Sequence, residues 1–313
     1  MKAVLLDADT LHPTTLDLRR LTDLPITLTQ YAQTSMAECA ERIADADIIL
    51  TNKVILNEKL LSHAHKCQYI GVMATGTNNI DKAYCQSHGI TVANVEGYGT
   101  DAVAQHALML LLNLTTSFNA YQRDVNQGVW SDGPHFCLLN HPVYELAGKH
   151  LVIVGYGELG RRFAELARAL GMRVSVAARP GKADDCRPTL DKLLPEADVV
   201  SLHCLLSDDT YHLIDKTRLS LMKPTALLIN TARGALIDEH ALLVALKSGT
   251  IGGAGLDGLS AEPPPRDHPL LNTGLSNLLI TPHSAWVAAE ARQRLVNIAA
   301  KQLADFLAQI GAL

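Results

Sequence analysis

The stretch Leu151-Val-Ile-Val-Gly155-Tyr156-Gly157-Glu158-Leu159-Gly160, continuing into Arg161–Leu170, decides how the chain folds. Four apolar residues read as a buried strand, and a G-x-G-x-x-G run follows at once and opens a helical period. Each glycine has a physical task in that setting. Gly155 permits a tight turn, Gly157 lets a pyrophosphate approach the backbone, and Gly160 allows helix and strand to pack closely. The helix start then offers unpaired N–H groups and a positive dipole end to phosphate. A glycine turn without a ligand is the competing reading; the strand before it and the helix after it favour dinucleotide binding.

Outward from this loop, short β-rich runs alternate with helical periods, the pattern of α/β folds with parallel sheets. Downstream strands are predicted at Arg173–Ala177, Val199–His203, Ala226–Ile229, Gly253–Leu256 and Leu278–Ile280. Upstream, a separate series is predicted at Ala3–Leu6, Ile26–Leu28, Ile48–Thr51, Tyr69–Val72 and Thr91–Ala93, with helices at Met36–Ile43 and Glu58–His63. A long helix is expected from Ala102 to about Asn119, after the glycine-containing break Asn94–Thr100. A last amphipathic helix is expected from Ala285 to Ala308, its apolar face carried by Val287, Ala291, Leu295, Ile298, Leu303 and Phe306.

Composition narrows the function classes. With 27 Lys and Arg against 32 Asp and Glu the net charge is −5, without a basic stripe or an acidic tail. Nucleic acid and membrane are therefore excluded as expected partners. The six cysteines show no C-x-x-C and no metal-clamping spacing, so no metal is expected, and reduced thiols point to the cytoplasm. The N-terminal MKAVLLDADT reads as a strand, not a signal segment.

Cofactor preference is sought at the end of the strand after the glycine loop. An acidic residue there would bind ribose hydroxyls. This chain has Ala178 and Arg179 instead, which remove a repelling carboxylate and offer a cation to a 2′-phosphate. NADP or NAD fits the loop; these two residues favour NADP(H), unless Arg179 is a solvated surface charge or stacks on adenine.

Three further segments fall at strand ends, where open parallel sheets place ligands. They are Ile229-Asn-Thr231-Ala232-Arg233-Gly234, Asp257-Gly-Leu-Ser-Ala-Glu262-Pro-Pro, and Ile280-Thr-Pro-His283-Ser-Ala-Trp286. Reduction of a 2-keto acid needs a cation to hold the carboxylate and polarise the keto oxygen, suited to a guanidinium. It needs an acid for the developing alkoxide, suited to histidine near neutral pH. A carboxylate beside that histidine would favour imidazolium and fix the ring. Arg233, His283 and Glu262 supply this set.

On these motifs the chain resembles the D-isomer-specific 2-hydroxyacid dehydrogenases, from Ala74-Thr75-Gly76-Thr77-Asn-Asn-Ile-Asp81 to the final helix. Within that family, Thr51-Asn-Lys53, the Gly97–His106 run and His283–Trp286 resemble the bacterial glycerate dehydrogenase (hydroxypyruvate reductase) branch. The resemblance implies two Rossmann-like parallel-sheet α/β domains with a cleft between them. Residues 1–98 and 286–313 would form a flavodoxin-like substrate domain, and 99–285 the NAD(P)-binding domain. It implies Arg233 as substrate binder, Glu262 as partner of His283, and His283 as acid/base. Asp257 would contact the nicotinamide carboxamide, and N–H groups around Thr75, Gly76 and Thr77 would hold the substrate carboxylate. Lys53 would add a charge there, or be only a solvated lysine after a strand. Thr231 and Ala232 would line the cofactor, and Leu205, where the family commonly has proline, would form its wall. A homodimer built through the long helix is expected.

Hydroxypyruvate or glyoxylate is the expected substrate. A nicotinamide-sensing regulator without turnover is the rival from another class, opposed by the intact Arg/Glu/His set. D-3-phosphoglycerate dehydrogenase is the rival enzyme; it would want further cations for the substrate phosphate and often a regulatory domain, for which a chain ending at Leu313 leaves no room.

Overall fold

Five short apolar runs in the first hundred residues become a parallel sheet: β1 (Lys2–Leu5), β2 (Thr27–Gln30), β3 (Ile48–Thr51), β4 (Tyr69–Val72) and β5 (Thr91–Asn94). Their order is β2-β1-β3-β4-β5, all parallel, in the computed structural model, which describes residues 1–182 and 184–313. Strands β3 and β4 are buried at every position, which is why they read as unbroken apolar runs instead of alternating ones. The chain reverses its strand order between β1 and β3, so Asp7 and the Asn52-Lys53 turn meet where such sheets place ligands.

The chain folds into two compact units, Met1–Gly99 with Val287–Leu313, and Thr100–Trp286. The closing helix, Ala289–Gln309, belongs to the first unit, and it buries Leu295, Leu303, Phe306 and Leu307. Phe306 lies 4.9 Å, ring to ring, from Tyr69 of β4. Such a pair adds about 0.5–1.5 kcal/mol beyond the area it buries.

The second unit holds β6 (His150–Val154), β7 (Arg173–Val176), β8 (Val199–Leu202), β9 (Leu227–Asn230), β10 (Gly253–Asp257) and β11 (Leu278–Thr281). They form one parallel sheet in the order β11-β10-β9-β8-β6-β7. The reversal between β6 and β8 puts the glycine loop at the ligand-placing crevice of this sheet. The Thr100–Thr115 helix packs Ala104, Ala107 and Leu111 against Phe163, Ala164 and Ala167 of the Glu158–Ala169 helix. Small residues on both sides let the two helices approach closely.

Two sequence expectations need correction. The single helix expected to about Asn119 is broken: it ends at Thr115, and a second helix runs from Phe118 to Asn126. Ser117 between them has φ +50°, and its hydroxyl donates to the Pro142 carbonyl. The hydroxyls of Thr115 and Thr116 bond back to carbonyls one turn earlier, a local competition that weakens helix continuation. The final helix starts at Ala289, not Ala285, because the residues before it are held in an irregular loop around His283; Val287, expected on its apolar face, lies outside it and is exposed.

Candidate active site

The glycine loop shows what each glycine does. Gly155 has φ +92°, a region that side chains avoid, and a Cβ there would lie 2.5 Å from the Cys204 nitrogen and 2.7 Å from the His203 carbonyl oxygen. A Cβ at Gly160 would lie 2.1 Å from the Gly155 carbonyl oxygen, so this residue is fixed as glycine by packing. At Gly157 a Cβ would meet nothing within 4 Å. The back of the loop is therefore filled by protein and its front is open. Gly157 caps the Glu158–Ala169 helix without a side-chain bond, and first-turn N–H groups have no acceptor inside the helix. That geometry fits a pyrophosphate. Glu158 accepts a bond from the Thr100 hydroxyl, while Tyr156 and Leu159 are half-buried beside the loop.

Other expected cofactor positions present open or unsatisfied groups. The Thr231 hydroxyl is buried and has no hydrogen-bond partner among the described residues, an atom in want of a ligand. Ala232 is anchored by its N–H to the Asn230 side chain at 3.0 Å. Leu205 is 85 % exposed, an apolar side chain available as a wall. His203, beneath the loop, bonds Ser201 through Nε2 while Nδ1 is buried without a partner among the described residues, and burial pulls its pKa down to about 4. The Arg179 guanidinium is 63 % exposed, with Nε 3.6 Å from Asp185. Asp185 also accepts from the Arg179 N–H and from Arg187, which hold its carboxyl far below the usual range, Arg187 contributing most. Two guanidinium groups thus share one carboxylate and leave a net positive charge. Sequence reading did not single out Asp185 and Arg187, which lie in a loop without periodicity.

The catalytic candidates stand on the ends of β9, β10 and β11. His283 Nδ1 and Glu262 Oε2 are 2.7 Å apart, with side chains 29 % and 38 % exposed. The carboxylate must be the acceptor, so Nδ1 carries a proton and Nε2 is left without a bond to any described residue. Glu262 Oε1 accepts from the Leu259 N–H at 3.2 Å. Arg233 is exposed, and its guanidinium bonds only its neighbouring Ala232 carbonyl, at 2.7 Å, among the described residues. It has no carboxylate partner there and stays available to an anion. The next residue, Gly234, ties this segment to the Glu262 loop: a Cβ there would sit 2.1 Å from the Leu259 carbonyl carbon and 2.3 Å from the Ser260 nitrogen.

His283 itself has φ +51°, rare for a side-chain-bearing residue. Such a conformation costs about 1–3 kcal/mol and needs support from its surroundings. Asp257 gives that support. Its buried carboxylate accepts from the N–H groups of Ser284 and Ala285, both at 2.8 Å, and from the Thr281 hydroxyl at 2.6 Å. Thr281 in turn bonds His106 Nε2 at 2.8 Å. Asp257 thereby shapes the histidine loop. The support from Thr281 and His106 was not anticipated, although His106 falls in a quoted motif.

A cavity of 630 Å³ opens against Glu262 and His283 and is lined mainly by Leu259, Leu270, Leu275 and Ile280. Neither Arg233 nor the glycine loop lines it. Among the described residues no cluster of three or more His, Cys, Asp or Glu side chains could hold a metal.

The substrate-side candidates lie in the first unit. Asp7 accepts from Asn52 N–H at 2.9 Å and Lys53 N–H at 2.6 Å, which pins the backbone carrying Lys53. The loop after β4 is held by the Thr75 hydroxyl on the Val95 carbonyl and by Asn94 on the Thr75 carbonyl. The N–H groups of Thr75, Gly76 and Thr77 bond no described residue.

Residues 108–285 match the D-isomer specific 2-hydroxyacid dehydrogenase family, NAD binding domain. Among named proteins, hydroxypyruvate reductase of Blautia hydrogenotrophica is 38 % identical, covering 98 % of this chain and 97 % of its own. Glycerate dehydrogenase of Methylorubrum extorquens is 40 % identical over 97 % of this chain and 94 % of its own. Among solved structures, TT0316 protein from Thermus thermophilus superposes with a TM-score of 0.86 at 33 % identity, covering 99 % of this chain and 97 % of its own. Similarity of this extent in sequence and in both parallel-sheet units leaves one assignment: the chain belongs to the D-isomer-specific 2-hydroxyacid dehydrogenases, a family of oxidoreductases.

Proposed function

We propose that this enzyme reduces hydroxypyruvate to D-glycerate, and glyoxylate to glycolate, with a nicotinamide cofactor. The observation that carries the reading is the Glu262–His283 pair, which leaves Nε2 open while Gly234 ties the neighbouring uncompensated Arg233 to the same loop. The names of the relatives point to the same substrates. When bound, the reduced nicotinamide supplies the hydride. Arg233 binds the keto acid and draws electron density onto its keto oxygen. His283 donates a proton from Nε2 to the forming hydroxyl, and Glu262 holds the ring through Nδ1. The free N–H groups of Thr75, Gly76 and Thr77, with Lys53, are proposed to receive the substrate carboxylate. Asp257 is proposed to meet the cofactor carboxamide through the acceptor capacity left on Oδ2.

For the cofactor, the proposal is NADP(H) over NAD(H). Arg179 and Arg187 around Asp185 leave positive charge at the end of β7, where an acidic residue would favour a ribose hydroxyl. A homodimer is proposed from exposed apolar side chains on the helices after Thr100 and the segment beyond: Leu112, Phe118, Trp130, Phe136 and Leu139. The six cysteines are all free thiols, which fits a reducing cytoplasm, and no helix of the described residues is long and apolar enough to cross a membrane.

A steady-state panel of 2-keto acids against NADH and NADPH tests the reading. Hydroxypyruvate with NADPH should give the highest kcat/KM. Absence of turnover with every 2-keto acid would overturn the proposal in favour of a regulator that binds nicotinamide without chemistry.

A further inference from the structure

We propose that Glu239, acting through Ser260, is a positioning residue for the Glu262–His283 pair; the inference rests on the catalytic reading above. Glu239 opens the Glu239–Lys247 helix directly after its cap, Asp238. Its Oε1 accepts from the Ser260 N–H and its Oε2 from the Ser260 hydroxyl, both at 2.7 Å. The same Oε2 lies 3.1 Å from His268 Nε2. His268 Nδ1 accepts from the Leu270 N–H, so Nε2 is the donating nitrogen and gives its hydrogen bond to Glu239. The two side chains are only 16 % and 9 % exposed. A carboxylate so enclosed, with three donors on it, is not a solvated helix charge.

The bonds fall on either side of Glu262. Ser260 lies two residues before it and His268 six after it, so one carboxylate ties down both arms of the loop that presents Glu262. Between Ser260 and the active pair the path is short. The Ser260 N–H is held by Glu239, and the preceding peptide rests on the bare backbone of Gly234. That fixes Leu259, whose N–H reaches Glu262 Oε1 and leaves Oε2 for His283. Without Glu239 the Ser260 N–H loses its acceptor, the Leu259–Ser260 peptide is free to shift, and Glu262 loses the donor that aims it. Glu239 touches neither substrate nor cofactor in this scheme; it acts on proton donation by way of the loop.

The test is a double-mutant cycle in the full-length enzyme. Glu239→Ala should lower kcat for hydroxypyruvate reduction about tenfold, the loss of roughly one net charged hydrogen bond. The dissociation constant for NADPH, read by fluorescence titration, should not change, and KM for hydroxypyruvate should change far less than kcat. Glu239→Gln should restore part of the rate: its oxygen still accepts from the Ser260 N–H and its amide donates to the hydroxyl, but that amide faces the His268 Nε2–H and the bond to His268 is lost. In a Glu262→Gln background Glu239→Ala should add no further loss. If Glu239→Ala fails to fold, Ser260→Ala takes its place in the same cycle, with a smaller loss expected only when Glu262 is present. Equal losses with and without Glu262, or a wild-type kcat in Glu239→Ala, overturn the inference. His283→Ala separates the two levels. Should it retain turnover, the catalytic reading itself falls; should it be inactive while Glu239→Ala is normal, only the role of Glu239 falls.

Discussion

Glu262→Gln isolates the charge of the carboxylate that meets His283. Length and volume are kept, yet only one end of the side chain remains an acceptor. In the native pair Oε2 accepts from His283 Nδ1 at 2.7 Å and Oε1 from the Leu259 N–H at 3.2 Å. A glutamine must turn its NH₂ toward one of these donors and lose that bond. A hydrogen bond to a charged group contributes about 1.5–3 kcal/mol net. The partial exposure of both side chains, 29 % and 38 %, places this pair at the lower end. At about 1.4 kcal/mol per factor of ten, keto-acid reduction should slow about tenfold near neutral pH. The assay is kcat/KM for hydroxypyruvate near neutral pH, with Tm and NADPH affinity as controls. A rate loss matched by a fall in Tm or in NADPH affinity would show that Glu262 acts only on structure, and no loss would refute the pairing as functional.

Three further perturbations follow from other parts of the molecule. Arg179→Ala should weaken NADPH binding far more than NADH binding in fluorescence titrations, and equal effects would remove the argument for a 2′-phosphate. Gly234→Ala drives a methyl group into the Leu259–Ser260 backbone; overpacking of this kind costs about 1–3 kcal/mol, so calorimetry should show a lower Tm, and an unchanged Tm would contradict the contact. His203 is held near pKa 4 by burial against an ordinary 6.5, so below pH 6.5 the unfolded chain takes up the proton first. Its contribution is complete above that pH and is lost as pH falls toward 4, at most about 3 kcal/mol; denaturant unfolding of His203→Asn should show a flatter slope between those values, and an identical slope would contradict the assignment.

Much of the fold, and the residues of the candidate site, are legible in the sequence, because the responsible signals are local. A buried parallel strand advertises itself as an apolar run, and the glycines at 155, 157 and 160 sit at fixed spacing for steric reasons that hold in any such loop. Strand ends were read to within a residue or two for β3, β4 and β6. The helix break at Ser117 was not legible, since it depends on a hydroxyl reaching the Pro142 carbonyl, far along the chain. Arg233, Glu262 and His283 could be named from residue type and position after strands. The left-handed backbone of His283 and the grip of Asp257 on Ser284 and Ala285 could not, because they arise from backbone N–H groups that every residue shares. Glu239 was hidden for a similar reason: an acidic residue in a first helical turn is common, and only its distances to Ser260 and His268 set it apart.

The central claim is that one imidazole gives up the proton completing the reduction, and His283→Ala tests it most directly. Turnover of hydroxypyruvate should fall by about 10²–10⁴, the usual share of a general acid, while NADPH still binds with wild-type affinity. Turnover close to wild type in that variant would contradict the account.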